Sequence, residues 1–210
     1  MAAVESPLLA AAGIAHGFGT RDDAPPPAVA TARQVHGERV LWVRGGADPT
    51  GEEADALATD EARWVAVRTA DCVPVLVADR RGGRVAAVHA GWRGSFARIA
   101  ARAVESLLRD GARVEDLVAA IGPRIGACCY EVSAELAEGF ARAFGTEVRQ
   151  VRRLDLGRVN LRTLEAAGLA RSQVDIIEAC TFCDHRFHSF RRDGAAAGRQ
   201  FSFVRGGSLS

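Results

Sequence analysis

The stretch VPVLVADRRGGRVAAVH, Val73 to His89, is two apolar runs joined by a short polar turn. Val73 to Val77 and Val85 to Val88 are apolar at successive positions, without the alternation of a half-exposed strand. Such runs predict strands covered on both faces, at the centre of a sheet. Arg80 to Gly83 supplies the Gly-containing turn that makes Val73 to Asp79 and Arg84 to His89 a hairpin. Strands covered on both sides need a layer above and a layer below, so this stretch points to a layered domain.

Working outward, Ala54 to Thr59 and Arg63 to Thr69 read as further strands. Gly13 to Thr20 and Arg39 to Arg44 precede them, separated by the Pro-rich turn Asp22 to Pro27. On the other side the period changes. Phe96, Ile99, Ala100, Ala103, Val104, Leu107 and Leu108 recur at helical spacing and stop at Gly111. Leu117 to Ile121 predicts a buried strand, Ser133 to Phe144 a helix with Ser133 as N-cap, and Leu156 to Ala167 a helix closed by Gly168. Val174 to Glu178 and Gln200 to Val204 complete the strands. Strands and helices are mixed without strict alternation, so the expected fold class is α/β: a layered α+β sandwich of mixed sheets with flanking helices, one domain over residues 1–210.

The balance of 27 basic and 26 acidic residues is spread evenly, which argues against a nucleic-acid partner and for a small-molecule substrate. All the basic residues are arginine, so a lysine Schiff base and a P-loop lysine are excluded. Met1 to Ala15 carries Glu5 and no basic start, unlike a signal peptide, and no apolar run reaches membrane-spanning length. Five cysteines, an odd number, then suggest reduced thiols and ligands in a cytoplasmic protein rather than a disulfide framework.

Three short phrases carry chemistry: QVHG (Gln34 to Gly37), TADC (Thr69 to Cys72) and HAGWRG (His89 to Gly94). Two imidazoles and a thiolate, from His36, Cys72 and His89, suit Zn²⁺ or copper, and three ligands leave a position free for water or substrate. A strand ending at Asp71 and Cys72 and another ending at His89 can bring these side chains to one sheet edge. Gly91 and Gly94 follow at a helix start, where free N–H groups favour an anion, and Arg93 lies in the same turn.

With ADALATD (Ala54 to Asp60), TADCVPVL (Thr69 to Leu76), IGPRIGACCYEV (Ile121 to Val132) and RRDGAAAGRQ (Arg191 to Gln200), the chain resembles the laccase-domain family from about Gly13 to Val204. Bacterial members of that family also go by the names multicopper polyphenol oxidoreductase, peptidoglycan editing factor and purine nucleoside phosphorylase. The resemblance implies zinc held by His36, Cys72 and His89, and a layered fold shared distantly with Cys-His toxins that deamidate glutamine. It also implies phosphorolysis of adenosine, inosine and S-methyl-5'-thioadenosine, with deamination of adenosine. The segment between Arg21 and Gln34 is shorter here than in family members.

For deamination, Asp71 is the nearest carboxylate to carry a proton; for phosphorolysis, Arg21, Arg93 and the Arg191/Arg192 pair are the candidates to hold phosphate. Three other functions compete. Cys72 and His89 could form a hydrolase dyad, for which His36 is superfluous. Copper-dependent phenol oxidation needs more clustered histidines than the chain supplies. A peptidoglycan-editing role is the third. Cys180-x-x-Cys183-x-His185-x-x-His188 has the spacing of a second metal site, of which the resemblance carries only Cys180. Cys128 and Cys129, as strand neighbours, would point oppositely and read as a reduced structural pair. Tyr130 and Glu131 could line a purine pocket or simply pack, and Trp92 is expected to pack on the sheet.

Overall fold

The computed structural model describes residues 3–207; Met1, Ala2 and Ser208 to Ser210, included in the single-domain expectation, lie outside the described residues. The strands are β1 (His16–Phe18), β2 (Val40–Trp42), β3 (Ala56–Thr59), β4 (Trp64–Thr69), β5 (Val73–Asp79), β6 (Val85–Ala90), β7 (Leu117–Ile121), β8 (Arg149–Gln150), β9 (Arg153–Leu154), β10 (Val174–Ile176) and β11 (Gln200–Arg205). The α-helices are α1 (Pro7–Ala11), α2 (Trp92–Phe96), α3 (Ile99–Arg109), α4 (Ala134–Phe144), α5 (Leu156–Ala166) and α6 (Phe190–Asp193).

A six-stranded mixed sheet runs β10-β7-β5-β6-β3-β2, and a three-stranded antiparallel sheet runs β1-β11-β4. The β5–β6 hairpin lies at the centre of the large sheet, and both strands are buried throughout. Alternation sends each strand into two cores. Val73, Val75, Val77, Val88 and Ala90 pack against Ile99, Val104 and Leu107 of α3, with Phe140 and Val159 behind them. Leu76, Ala78, Val85 and Ala87 pack the other way, against Val65, Val67 and Val204 of the small sheet and Leu9 of α1. Helices, large sheet and small sheet therefore form three layers. Each fully buried Leu, Val or Phe contributes about 1.5–3 kcal/mol of transfer free energy to them.

Ser133 caps α4 by accepting from the Leu136 N–H at 3.2 Å, and Gly168 closes α5 at φ +102°. Elsewhere the chain departs from expectation. The strand expected over Gly13 to Thr20 is confined to His16–Phe18. The helix expected to run through Phe96 and Ile99 is broken, because Arg98 takes φ 61° between α2 and α3. Cys72 does not end a strand: β4 stops at Thr69, and Ala70 to Cys72 form the connection into β5, with Asp71 at φ 82°. Among the described residues no helix is long and apolar enough to cross a membrane.

Candidate functional site

Strand register explains why the three ligand-type residues meet. Val73 pairs with Ala90 and Pro74 with His89, so Cys72, one residue before β5, reaches the same end of the sheet as His89. On β6, Val85 and Ala87 face the small sheet, and His89 continues that parity. Ala56 on β3 pairs with Val88, which brings the preceding Asp55 beside His89; the His89 N–H donates to the Asp55 carbonyl at 2.7 Å. Asp55 shares the parity of Leu57, so its side chain projects to the same face as the imidazole.

The buried Asp55 carboxylate organises the site. Oδ1 lies 2.7 Å from His89 Nδ1 and accepts from the His36 N–H at 3.0 Å. Oδ2 accepts from the N–H groups of Val35 at 3.1 Å and Gly37 at 2.7 Å. An ionised carboxylate can only accept, so the network places a proton on His89 Nδ1 and makes Nε2 the nitrogen that can bind a metal once its own proton has left. The same carboxylate clamps the backbone of the QVHG loop, where His36 sits at φ 59°, an uncommon conformation for a side chain of its size. Gln34 completes the clamp. Its amide donates to the Arg68 carbonyl and accepts from the Arg68 N–H, both at 2.8 Å.

His36 Nε2 stands 3.9 Å from Cys72 Sγ, the two imidazoles cross edge to face at a centroid distance of 4.8 Å, and the ligand atoms of all three residues lie within 4.8 Å of one another. Two nitrogens and a sulfur form a donor set for a borderline cation such as Zn²⁺ or copper. Gly91 packs directly against it, where a Cβ would come within 2.8 Å of His36 Cδ2 and 3.1 Å of Cys72 Sγ. The residues present therefore fit a metal ion.

Charge is already separated at this site. Burial pushes the Cys72 thiol up, but hydrogen bonding and the charges of His36 and His89 outweigh it and bring its pKa down to about 6. Burial lowers His89, yet its bonds to Asp55 and Cys72 raise it to about 9. Burial opposes ionisation of Asp55 too, but the bonds from His89 and the Gly37 and Val35 N–H groups hold its carboxyl below the usual range. Without metal, neutral pH thus gives a thiolate beside an imidazolium.

These residues floor a cavity of about 800 Å³, also lined by Ile125, Tyr130, Phe190, Arg68, Arg191 and Arg199. Its size suits a small molecule. Aromatic and cationic groups are interleaved along it, with the Arg191 guanidinium over the Tyr130 ring at 5.2 Å and that of Arg199 over the Phe190 ring at 5.9 Å. Burial pushes the Tyr130 hydroxyl up to about 12, so it stays protonated and can donate.

The other expected site residues are distributed unevenly. Asp71 lines the cavity, but its carboxylate already accepts from Thr181 Oγ1 at 2.7 Å and from the Arg191 N–H at 2.6 Å, anchoring the start of α6. Arg191 lines the cavity with its guanidinium 5.2 Å from the Tyr130 ring. Arg192 points away from it and holds the 181–187 loop by donating to the carbonyls of Thr181, Phe182 and Phe187. Arg21 pairs with Asp193 at 3.8 Å, and Arg93 lies exposed on the Trp92 ring; neither lines the cavity. Trp92 itself packs on the helix-side core, as expected. Sequence reasoning passed over Asp55, Arg68 and Arg199. The parity and register of the ADAL strand carried a signal for Asp55, and Arg199 stands within the RRDGAAAGRQ phrase; nothing in the local sequence marked Arg68.

The chain matches, over residues 18–206, the family described as multi-copper polyphenol oxidoreductase laccase. It is 40% identical over 163 residues to adenosine deaminase RL5 from an unknown prokaryotic organism, covering 73% of this chain and 62% of that protein. It is 38% identical over 181 residues to a purine nucleoside phosphorylase of Deinococcus radiodurans, covering 83% of this chain and 69% of that one. The aligned part thus spans less than two thirds of the length of the first of these relatives. Among solved structures, Bacillus licheniformis YfiH superposes with a TM-score of 0.84 at 27% identity, covering 92% of both chains. YlmD from Geobacillus stearothermophilus superposes at 0.82 with 28% identity, covering 97% of this chain and 94% of the other.

Proposed function

The chain belongs to the multi-copper polyphenol oxidoreductase laccase family, and on that premise we propose that it is a zinc-dependent enzyme of purine nucleosides. It cleaves adenosine, inosine or S-methyl-5'-thioadenosine with phosphate, and deaminates adenosine. The observation that carries this reading is the placement of the His36, Cys72 and His89 donor atoms in a cavity lined also by Tyr130, Phe190, Arg68, Arg191 and Arg199. Relatives named purine nucleoside phosphorylase and adenosine deaminase support the same substrate class.

A Zn²⁺ held by these three side chains would supply a Lewis acid with an open position, able to acidify water or polarise a purine. The remaining chemistry is the chain's own. In phosphorolysis a phosphate oxygen bonds to C1' of the ribose as the C1'–N9 bond breaks, and the bond electrons leave with the purine. The three guanidinium groups bind phosphate and hold it near the sugar. Tyr130 and Phe190 orient the purine by stacking, and the neutral Tyr130 hydroxyl can donate to a ring nitrogen as negative charge builds there. Asp71 keeps Arg191 in place through its N–H.

The decisive experiment incubates metal-replete protein with adenosine, with and without phosphate, and identifies the products. Adenine and ribose 1-phosphate appearing only with phosphate demonstrate phosphorolysis; inosine appearing in both demonstrates deamination. Neither product would overturn the reading.

Metal binding should depend on pH in a defined direction. With His89 raised to about 9 and Cys72 lowered to about 6, a metal arriving between these values displaces the His89 proton and finds Cys72 already ionised. Affinity is expected to rise about tenfold per pH unit in that window. Below it the dependence steepens, since the Cys72 proton must also leave; above it the pair contributes no further gain. Calorimetry in two buffers of different protonation enthalpy reads the protons released.

A further inference from the structure

The fold gathers a second donor set that the linear spacing of the cysteines conceals. Cys180 and Cys183 are not joined by His185 and His188: their sulfurs meet those of Cys128 and Cys129, and all four lie within 4.8 Å of one another. Cys128 and Cys129 can share one target because Ala127 to Cys129 form a turn, in which the Cys129 and Tyr130 N–H groups both donate to the Gly126 carbonyl at 3.0 Å. The rule that neighbouring strand residues diverge does not apply there. Thr181 to Cys183 form a matching turn, with the Asp184 N–H donating to the Cys180 carbonyl at 2.9 Å. A short parallel bridge between Arg124 and Cys180 holds the two turns side by side.

We propose that Cys128, Cys129, Cys180 and Cys183 form a structural four-thiolate Zn²⁺ site, separate from the site of His36, Cys72 and His89. A tetrahedral ion with Zn–S bonds of about 2.3 Å sets its sulfurs about 3.8 Å apart. Cys128 Sγ and Cys129 Sγ lie 3.9 and 3.3 Å from Cys183 Sγ, on either side of that value. The backbone is prepared for thiolate as well. The Gly126 N–H points at Cys180 Sγ at 3.3 Å, and Gly126 lacks the Cβ that would sit 3.2 Å from Cys128 Sγ. All four protein positions are thiolates, so this ion has no open position and its role is to hold structure.

What it holds is the substrate cavity. The 124–131 loop carries Ile125 and Tyr130, and the 180–192 loop carries Phe190 and Arg191, all on the cavity wall. A four-sulfur clamp ties these loops together and thereby fixes Ile125 and Tyr130 relative to Phe190 and Arg191.

Two measurements on the full chain test the site. Cys72→Ser protein, with its first site disabled, should bind about one Co²⁺ or Zn²⁺ per chain and show the intense thiolate-to-cobalt absorption of a four-sulfur site. Adding Cys183→Ala should abolish that absorption. In the unaltered chain, Zn²⁺ should shield Cys128, Cys129, Cys180 and Cys183 from alkylation until a chelator is added, which needs no substitution to be tolerated. Cys72→Ser protein that is folded by circular dichroism and takes up neither ion would overturn the proposal. So would an anaerobically purified chain whose mass and peptide map show Cys129 and Cys183 joined as a disulfide.

Discussion

Asp55→Ala is expected to weaken metal binding by about 10–100-fold without removing a ligand, because it deletes the group that orients two of the three. The Asp55 carboxylate accepts four hydrogen bonds: from His89 Nδ1 and from the N–H groups of Val35, His36 and Gly37. Without it His89 is free to rotate or change tautomer, and the QVHG loop loses what keeps His36 at φ 59°. Folding stability should fall by about 3–5 kcal/mol, the usual result of deleting one partner of a buried charged pair. Asp55→Asn is not a mild alternative. An amide offers one acceptor oxygen, so whichever way it is turned its NH₂ group faces N–H donors. It should bind metal more weakly than the unaltered chain while unfolding at an intermediate urea concentration. Metal titration with a chromogenic competitor and urea denaturation read the two effects, and an Asp55→Asn protein unchanged in both would remove Asp55 from its organising role.

The central hairpin was legible in Val73 to His89 because residues buried on both faces leave an uninterrupted apolar run, and the layered α/β class followed from it. That Cys72 and His89 reach one sheet end was also legible, since a hairpin fixes which residues are opposite. His36 lies in irregular backbone, and its place depends on Asp55, a residue far away in sequence. Only the motif marked it. The break at Arg98 left no trace, for neither Gly nor Pro accompanies its φ of 61°. Arg199 stood in the RRDGAAAGRQ phrase without an assigned role, and Arg68 in no phrase at all. They acquire a common wall only through the pairing of β11 with β4, a contact that no local pattern encodes. The cysteine grouping failed on one assumption, that residues 128 and 129 are extended. Two turns in place of a strand exchanged two histidine partners for two cysteine partners.

His36→Ala separates a metal enzyme from a Cys-His hydrolase, because the two readings assign this residue opposite importance. In a dyad, Cys72 is the nucleophile, His89 its base and Asp55 the group orienting the base, and all three survive the substitution. In a metal site, losing one of three ligands loses the ion. A Lewis acid contributes several kcal/mol to the transition state, so kcat/KM for adenosine should fall about a thousandfold or more. Metal content should fall with it, and what activity remains should no longer respond to chelator. Alkylation supplies an independent check that the altered protein keeps its fold: Cys72 still faces His89, so iodoacetamide should label it readily even without chelator treatment. In the unaltered chain the same thiol should be shielded by Zn²⁺ and released only by chelator. A His36→Ala protein that retains full turnover and resists chelator would establish the dyad. Thiol shielding by metal together with the thousandfold loss would leave Cys72 as a ligand, since a sulfur committed to an ion cannot also serve as the free nucleophile.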